Sequence, residues 1–397
     1  MKILVQYDYP ASPGGLATQG DLLYRGLLEI GVDARAVNSE NAQEKEWYYQ
    51  WFKPDAVVGI GYWGHTPDLV LHPERFGMRA VPWLVADGYV LNYREALEKV
   101  PLMLVTSDWV GEVYERDGIH NPNTRVIPVG CDTDTFRPID RNDDRVRSIR
   151  KSMGVADDEL MLLTVGGDAA SKGGREAMQA LAQLKDDVPK WKYIFKVWPQ
   201  PRTEAQTRED MQLAVDLGIA DRVTFVTNRA SRDFMPYLMN ACDLYVGPSR
   251  LEGFGMPQVE AGACGKPVIS INAMSPKETL VHGETALLAD VAEVISVSEA
   301  LVGPESGFPE GHRVTFDQPR VADYRASVPQ LAEHFRTLMT DPELRLRMGA
   351  AGRERVVACF DYRLVARTCV DLLRRHLEIK EPNAVPNEPI LHDESAA

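Results

Sequence analysis

The sequence predicts an α/β protein of two domains, each a parallel sheet flanked by helices, on three observations. The chain has 397 residues, room for two domains of roughly 100–200 residues. Short β-branched and apolar runs alternate with helical periodicity along most of it, which implies βαβ units. The alternation pauses once, across residues 138–158 (PIDRNDDRVRSIRKSMGVADD), a stretch that is charged and poor in large apolar residues.

KILVQY, residues 2–7, reads as the first buried strand. The turn PASPGGLATQG follows, then a helix with Leu22, Leu23, Leu27 and Leu28 on one face, stopped by Gly31. ARAVN, DAVVGIGYW from Asp55, VPWLVADG from Val81 and LMLVTSD from Leu102 continue as strands, and RVIPVGCD, residues 125–132, closes the series. A second series opens with LMLLTVGG from Leu160 and the helix REAMQALAQL from Arg175. KYIFKVW, RVTFVTN, DLYVGPS and PVISIN are its later strands. Residues 291–323 lose the periodicity and read as an insertion or long loop. Helical spacing returns from QLAEHFRTLM to Glu378, and the tail KEPNAVPNEPILHDESAA reads as disordered. The boundaries are an N-terminal domain over 1–140, a linker over 141–158, a C-terminal domain over 159–360, a helix over 361–379 packing back on the first domain, and a tail over 380–397.

Composition excludes some classes of function. A formal net charge of −14 argues against nonspecific nucleic-acid binding, which depends on dense Lys and Arg contacts with phosphate. The five cysteines form no C-x-x-C pair, which disfavours a disulfide framework or zinc site and fits a reducing cytoplasm. No uncharged apolar run approaches the roughly 20 residues that span a bilayer. The expectation is a cytoplasmic protein without a transmembrane segment, with peripheral contact at the inner membrane face left open.

The stretch richest in chemistry is SRLEGFGMPQVEAGACGKPVIS, residues 249–270. A strand ends at Ser249, Glu252 follows in a glycine-rich loop, and Pro257 sits where a helix begins, a position that tolerates its missing N–H. Glu260 then lies one turn into that helix. Free N–H groups and the positive helix end suit a diphosphate. Carboxylates beside it suit sugar hydroxyls, Glu260 for a ribose and Glu252 for a hexose. Taken singly, either acid reads more simply as a helix-start carboxylate stabilised by the dipole.

Residues 249–270 resemble the E-x7-E segment of the retaining GT-B glycosyltransferases of family 4 (glycosyl transferases group 1). PASPGG, RVIPVGCDTDTFRP (125–138), TVGGDAASKGG (164–174), DRVTFVTNRASRDFMPYLMNACDLYVGPS and DPELRLRMGAAGRERV (341–356) match other segments of that family in order. The resemblance implies a GT-B fold, two Rossmann-like domains with parallel sheets facing a central cleft. It implies transfer of a sugar from a nucleotide-diphosphate sugar to an acceptor hydroxyl with retention of configuration, a retaining hexosyltransferase. Glu260 would bind the ribose, and Glu252 the sugar ring. The amides of Phe254, Gly255 and Met256 would hold sugar and diphosphate. Lys172 would neutralise the leaving diphosphate, with Gly14 and Gly15 closing over it. No D-x-D in a strand context is present, so neither an essential metal nor a cofactor is expected. The acceptor, whether small molecule, glycan or lipid-linked, is not specified.

Two departures stand out. Relatives often carry Arg where Gly167 stands, followed here by Asp168, and Lys196 or Arg229 are the candidates to replace that cation. Relatives often place a sugar-contacting His where Asp87 stands, which reads equally as an acceptor-side base or sugar contact and as a turn residue. These departures motivate an alternative: a non-catalytic sugar-nucleotide-binding or partner module of the same fold. An epimerase or a phosphorylase on this fold is a third reading, although no motif marks a Schiff-base lysine.

Overall fold

A computed structural model describes residues 1–86, 88–199 and 201–379. Asp87 and the tail from 380 lie outside the described residues.

The first sheet holds β1 (Lys2–Tyr7), β2 (Asp33–Asn38), β3 (Ala56–Tyr62), β4 (Ala80–Val85), β5 (Met103–Val105) and β6 (Thr124–Val126) in the order β2-β1-β3-β4-β5-β6. All its pairs are parallel. Ile3, Leu4, Val5, Val57 and Val58 are fully buried, as strands covered on both faces must be. Helices α1 (Gly15–Glu29), α2 (Ala42–Trp51), α3 (His72–Arg75), α4 (Arg94–Lys99) and α5 (Asp108–Arg116) connect them. Leu22, Leu23 and Leu27 of α1 are buried, but Leu28 stays 44% exposed, so the apolar face is narrower than the leucine run implies.

The second domain begins earlier than its first strand. The expected linker contains α6 (Asp144–Ser152), capped by Asp143, with Val146 and Ile149 buried. Arg150 ties it to the second domain, donating to Ala241 O at 2.7 Å and Asp243 Oδ2 at 2.9 Å. Its charge conceals an apolar pair three residues apart, which is enough for one helix face. The chain continues as β7 (Leu160–Val165), α7 (Gly174–Gln183), β8 (Trp191–Lys196), α8 (Pro201–Asp216), β9 (Val223–Val226), α9 (Met235–Ala241), β10 (Leu244–Gly247), α10 (Met256–Ala263), β11 (Val268–Ile271), α11 (Pro276–Thr279) and β12 (Ala286–Ala289). The sheet order is β12-β11-β10-β7-β8-β9, again with parallel pairs.

Residues 291–323 are not a loop. They lie in a long antiparallel hairpin of β13 (Val291–Val302) and β14 (His312–Ala326), paired from Val291↔Ala326 to Val302↔His312. Three register shifts break the alternation that would have revealed the strands, and most of β13 faces solvent, leaving little apolar pattern to read. Ser327 N donates to Asp290 O at 2.8 Å, so the hairpin leaves and re-enters the domain at one point.

The chain ends in α12 (Val328–Thr340), α13 (Pro342–Cys359) and α14 (Tyr362–Leu377). Cys131 N donates to Phe360 O at 2.6 Å and Tyr362 N donates to Cys131 O at 3.1 Å, returning the chain to the first domain. There α14 lies so close to α1 that a Cβ on Gly26 would come 2.9 Å from Ala366 Cβ. Among the described residues, no helix is long and apolar enough to cross a membrane.

Candidate active site

In open parallel sheets, ligands settle outside the carboxyl ends of strands where the strand order reverses. In the second sheet that point falls between β7 and β10, which pair directly. The loop leaving β7 carries Lys172, and the loop leaving β10 carries Glu252. In the first sheet the reversal lies between β1 and β3, and the loop after β1 carries Gly14 and Gly15. The two points face one another. A Cβ on Gly15 would lie 3.9 Å from Met256 Sδ at the start of α10, and one on Gly14 would lie 3.8 Å from the Trp198 ring.

Lys172 donates from Nζ to Glu252 Oε2 at 2.7 Å. Two further donors hold the same carboxylate: Ser249 Oγ to Oε2 at 3.2 Å and Gly255 N to Oε1 at 3.0 Å. Glu252 therefore holds the turn at Gly255 that leads into α10, and it also meets the lysine. Gly255, expected to offer its amide to a ligand, has that amide on Glu252. Phe254 turns its ring inward, edge-on to Phe360 at 5.8 Å. Met256 faces Gly15.

The lysine loop is built tightly. Asp168 Oδ1 accepts the Ser171 N–H at 2.6 Å, so the acid that stands beside the missing arginine shapes the turn presenting Lys172. Gly173 adopts φ +72°, and a Cβ there would lie 2.0 Å from Pro248 O. Gly173→Ala should destabilise the protein by about 1–3 kcal/mol, since a left-handed non-glycine residue and a backbone overlap arise together. Urea unfolding checks this, and an unchanged midpoint would contradict the loop geometry.

Glu260 is buried, with its side chain 6% exposed, and Arg232 Nη1 donates to its Oε1 at 2.7 Å. Burial pushes the Glu260 carboxyl above its ordinary value, and Arg232 opposes that rise. The guanidinium also lies 4.7 Å from the Phe136 ring. Sequence reasoning pointed instead to Lys196 or Arg229 as the extra cation. Lys196 is buried, donating to the carbonyls of Val197 and Asn228, where it joins the ends of β8 and β9. Arg229 is exposed. Nothing local in S-R-D-F marks Arg232; it meets Glu260 because the 3₁₀ turn Arg232–Phe234 lies opposite α10, which only the fold reveals. Trp198, 40% exposed beside Gly14, was likewise missed.

The first domain grips the glutamate loop directly. Thr106 Oγ1 and Ser107 Oγ donate to Gly253 O at 2.9 and 3.1 Å. Glu278 of α11 accepts the N–H groups of Asp108 and Trp109 at 2.8 and 2.9 Å, capping α5 from the opposite domain. Ala86 O lies 3.5 Å from a Cβ placed on Gly253, so the segment bordering Asp87 abuts the same loop. The cleft thus gathers a helix start, a lysine, an arginine and two carboxylates, a set suited to a diphosphate flanked by hydroxyl groups.

The family model described as Glycosyl transferases group 1 matches residues 146–302. The D-inositol 3-phosphate glycosyltransferase of Geodermatophilus obscurus is 30% identical over 193 residues, 48% of this chain and 42% of that protein. The protein of that name from Mycobacterium tuberculosis strain H37Ra is 31% identical over 200 residues, 50% of this chain and 40% of its own. The chain therefore spans about two-fifths of the curated relatives it matches. Among solved structures, the sucrose-phosphate synthase of Thermosynechococcus elongatus superposes with a TM-score of 0.71 at 19% identity, covering 94% of this chain and 98% of that one. Anabaena Alr3699/HepE in complex with UDP and glucose gives 0.70 at 18%, covering 94% and 100%. The described residues have the GT-B fold, and residues 146–302 are similar to the glycosyl transferases group 1 family.

Proposed function

We propose that this protein is a retaining glycosyltransferase that moves a hexose from a nucleotide-diphosphate sugar to an acceptor hydroxyl without a metal ion. The observation that carries the reading is the meeting of Lys172 and Glu252 at the start of α10, opposite Gly14 and Gly15. Relatives named as glycosyltransferases and a neighbour solved with UDP and glucose support it. In the reaction the anomeric carbon–phosphate oxygen bond breaks, its electron pair leaves with the diphosphate, and the acceptor oxygen bonds to the anomeric carbon while releasing its proton. Positive charge grows on the sugar as negative charge grows on the diphosphate. Lys172, the Met256 N–H and the positive end of α10 stabilise the latter, a fixed dipole and a cation taking the place of Mg²⁺. Glu252 contacts the sugar ring, and Glu260 holds the ribose. Asp87 is the acceptor-side candidate. The sites of action are cytoplasmic.

A thermal-shift panel of UDP, GDP and ADP with their glucose conjugates, run in EDTA, tests the assignment. One base should stabilise selectively, by about 2.7 kcal/mol at a hundredfold excess over Kd, a rise of several degrees. A flat panel contradicts it. Binding without turnover on any acceptor or on water would favour the non-catalytic module, which the glycine at 167 keeps in view.

A further inference from the structure

We propose that the β13–β14 hairpin sets acceptor specificity, by locking Ala86 and residues 88–93 of the first domain against the Glu252 loop; this rests on the glycosyltransferase reading above. The loop after β4 lies between two partners from the opposite domain. On one side Ala86 abuts Gly253, next to Glu252. On the other side stands the hairpin.

The hairpin contacts are specific. Gly88 adopts φ +90°, and a Cβ on it would lie 2.7 Å from Val321 O, so β14 runs directly against the loop backbone. Arg320 Nε donates to Asp117 Oδ1 at 2.7 Å, and the Asp117 side chain is 1% exposed. The other oxygen of Asp117 accepts the Val90 N–H at 2.7 Å. Arg116 joins the network, donating to Gly88 O at 2.6 Å and to Asp117. The chain of contacts therefore runs from Arg320 through one buried carboxylate to the loop backbone. Phe316 faces the Tyr89 ring at 5.3 Å, and the Arg320 guanidinium lies 5.3 Å from Phe316 on the same side. At the hairpin turn, Asn92 Nδ2 donates to Ser306 O at 3.1 Å. Ser306, Phe316, Arg320 and Val321 all lie beyond residue 302, where the family match ends.

Arg320 is a positioning residue. It acts through Asp117 on the backbone at Val90, in the segment that follows Ala86 beside the Glu252 loop. Without Arg320, Asp117 keeps Arg116 as its cation but loses its tie to β14, so the loop backbone it holds at Val90 is no longer fastened to the hairpin through this carboxylate. Small misplacement at such a wall costs transfer to a shaped acceptor and admits water to the sugar, while the nucleotide end of the cleft is untouched.

The test uses the full chain, the nucleotide selected in the thermal-shift panel and its glucose conjugate. Three variants are compared: Arg320→Gln, Arg320→Lys, and an excision joining Asp290 to Ser327 through two glycines, which the hydrogen bond between those residues allows. Nucleotide affinity is read by calorimetry and release of nucleoside diphosphate is read with water alone and with glucose, myo-inositol and their monophosphates. Arg320→Gln should keep nucleotide affinity while hydrolysis by water rises about tenfold relative to transfer, Arg320→Lys should restore most of the wild-type partition, and the excision, which also takes the Tyr324 N–H from Arg250 O, should shift the partition the same way. Unchanged hydrolysis and acceptor profile in both Arg320→Gln and the excision, or nucleotide affinity of Arg320→Gln falling in step with turnover, would overturn the proposal. Failure of the wild type to bind any nucleoside diphosphate would instead sink the underlying reading. If the excised chain does not fold, the Arg320 pair decides.

Discussion

Lys172→Ala should lower turnover by roughly 10²–10³-fold, the usual cost of removing one preorganised donor from a site of developing negative charge. The lysine is fixed for that task by its loop: Asp168 turns the chain at Ser171, and Gly173 seats it on Pro248. Removing the ammonium also strips Glu252 of a partner, and a half-buried carboxylate left alone perturbs its surroundings. Comparing Glu252→Gln with the double variant Lys172→Ala, Glu252→Gln separates the effects. If the lysine acted only by pairing the carboxylate, the two would be equally slow; loss of phosphate stabilisation makes the double variant slower still. Steady-state release of nucleoside diphosphate is the measurement.

The second large effect concerns nucleotide affinity. On the proposed function, Glu260→Ala deletes a charged hydrogen bond to the ribose, worth about 1.5–3 kcal/mol, so affinity should fall roughly 10–100-fold. Unchanged affinity by calorimetry would remove Glu260 from the site. A pH dependence accompanies this. The ionised carboxylate is the form that accepts hydrogen bonds from hydroxyls, and burial raises the Glu260 pKa above its ordinary value of 4.5. Nucleotide affinity should therefore decline as pH is lowered through that raised value, beginning above pH 4.5. Arg232→Gln removes the charge that opposes the rise, so it should move the decline to higher pH. A purely structural role for Arg232 would weaken binding equally at all pH values.

Much of this was legible in the sequence because it is local. The β-branched runs became the strands of both sheets, and E-G-F-G followed by Pro257 became a loop feeding a helix start. Lys172 and Glu252, eighty residues apart, were paired only by resemblance; their 2.7 Å contact comes from the adjacency of β7 and β10. What stayed hidden was non-local or masked by charge. Helix α6 looked like a linker because its two buried residues sit among arginines and aspartates. The hairpin looked like a loop because three register shifts erase its period. Arg232 and Glu278 act across the fold on partners no window of sequence contains.

The account rests on a diphosphate seated at the start of α10 with Lys172 beside it. Calorimetry in EDTA, comparing a nucleoside diphosphate with its monophosphate on wild type and on Lys172→Met, addresses that most directly. The prediction is that wild type prefers the diphosphate by at least about tenfold, and that Lys172→Met erases most of the preference while still binding the monophosphate. Equal affinity for the two nucleotides on wild type, or a preference that survives the loss of Lys172, would contradict it.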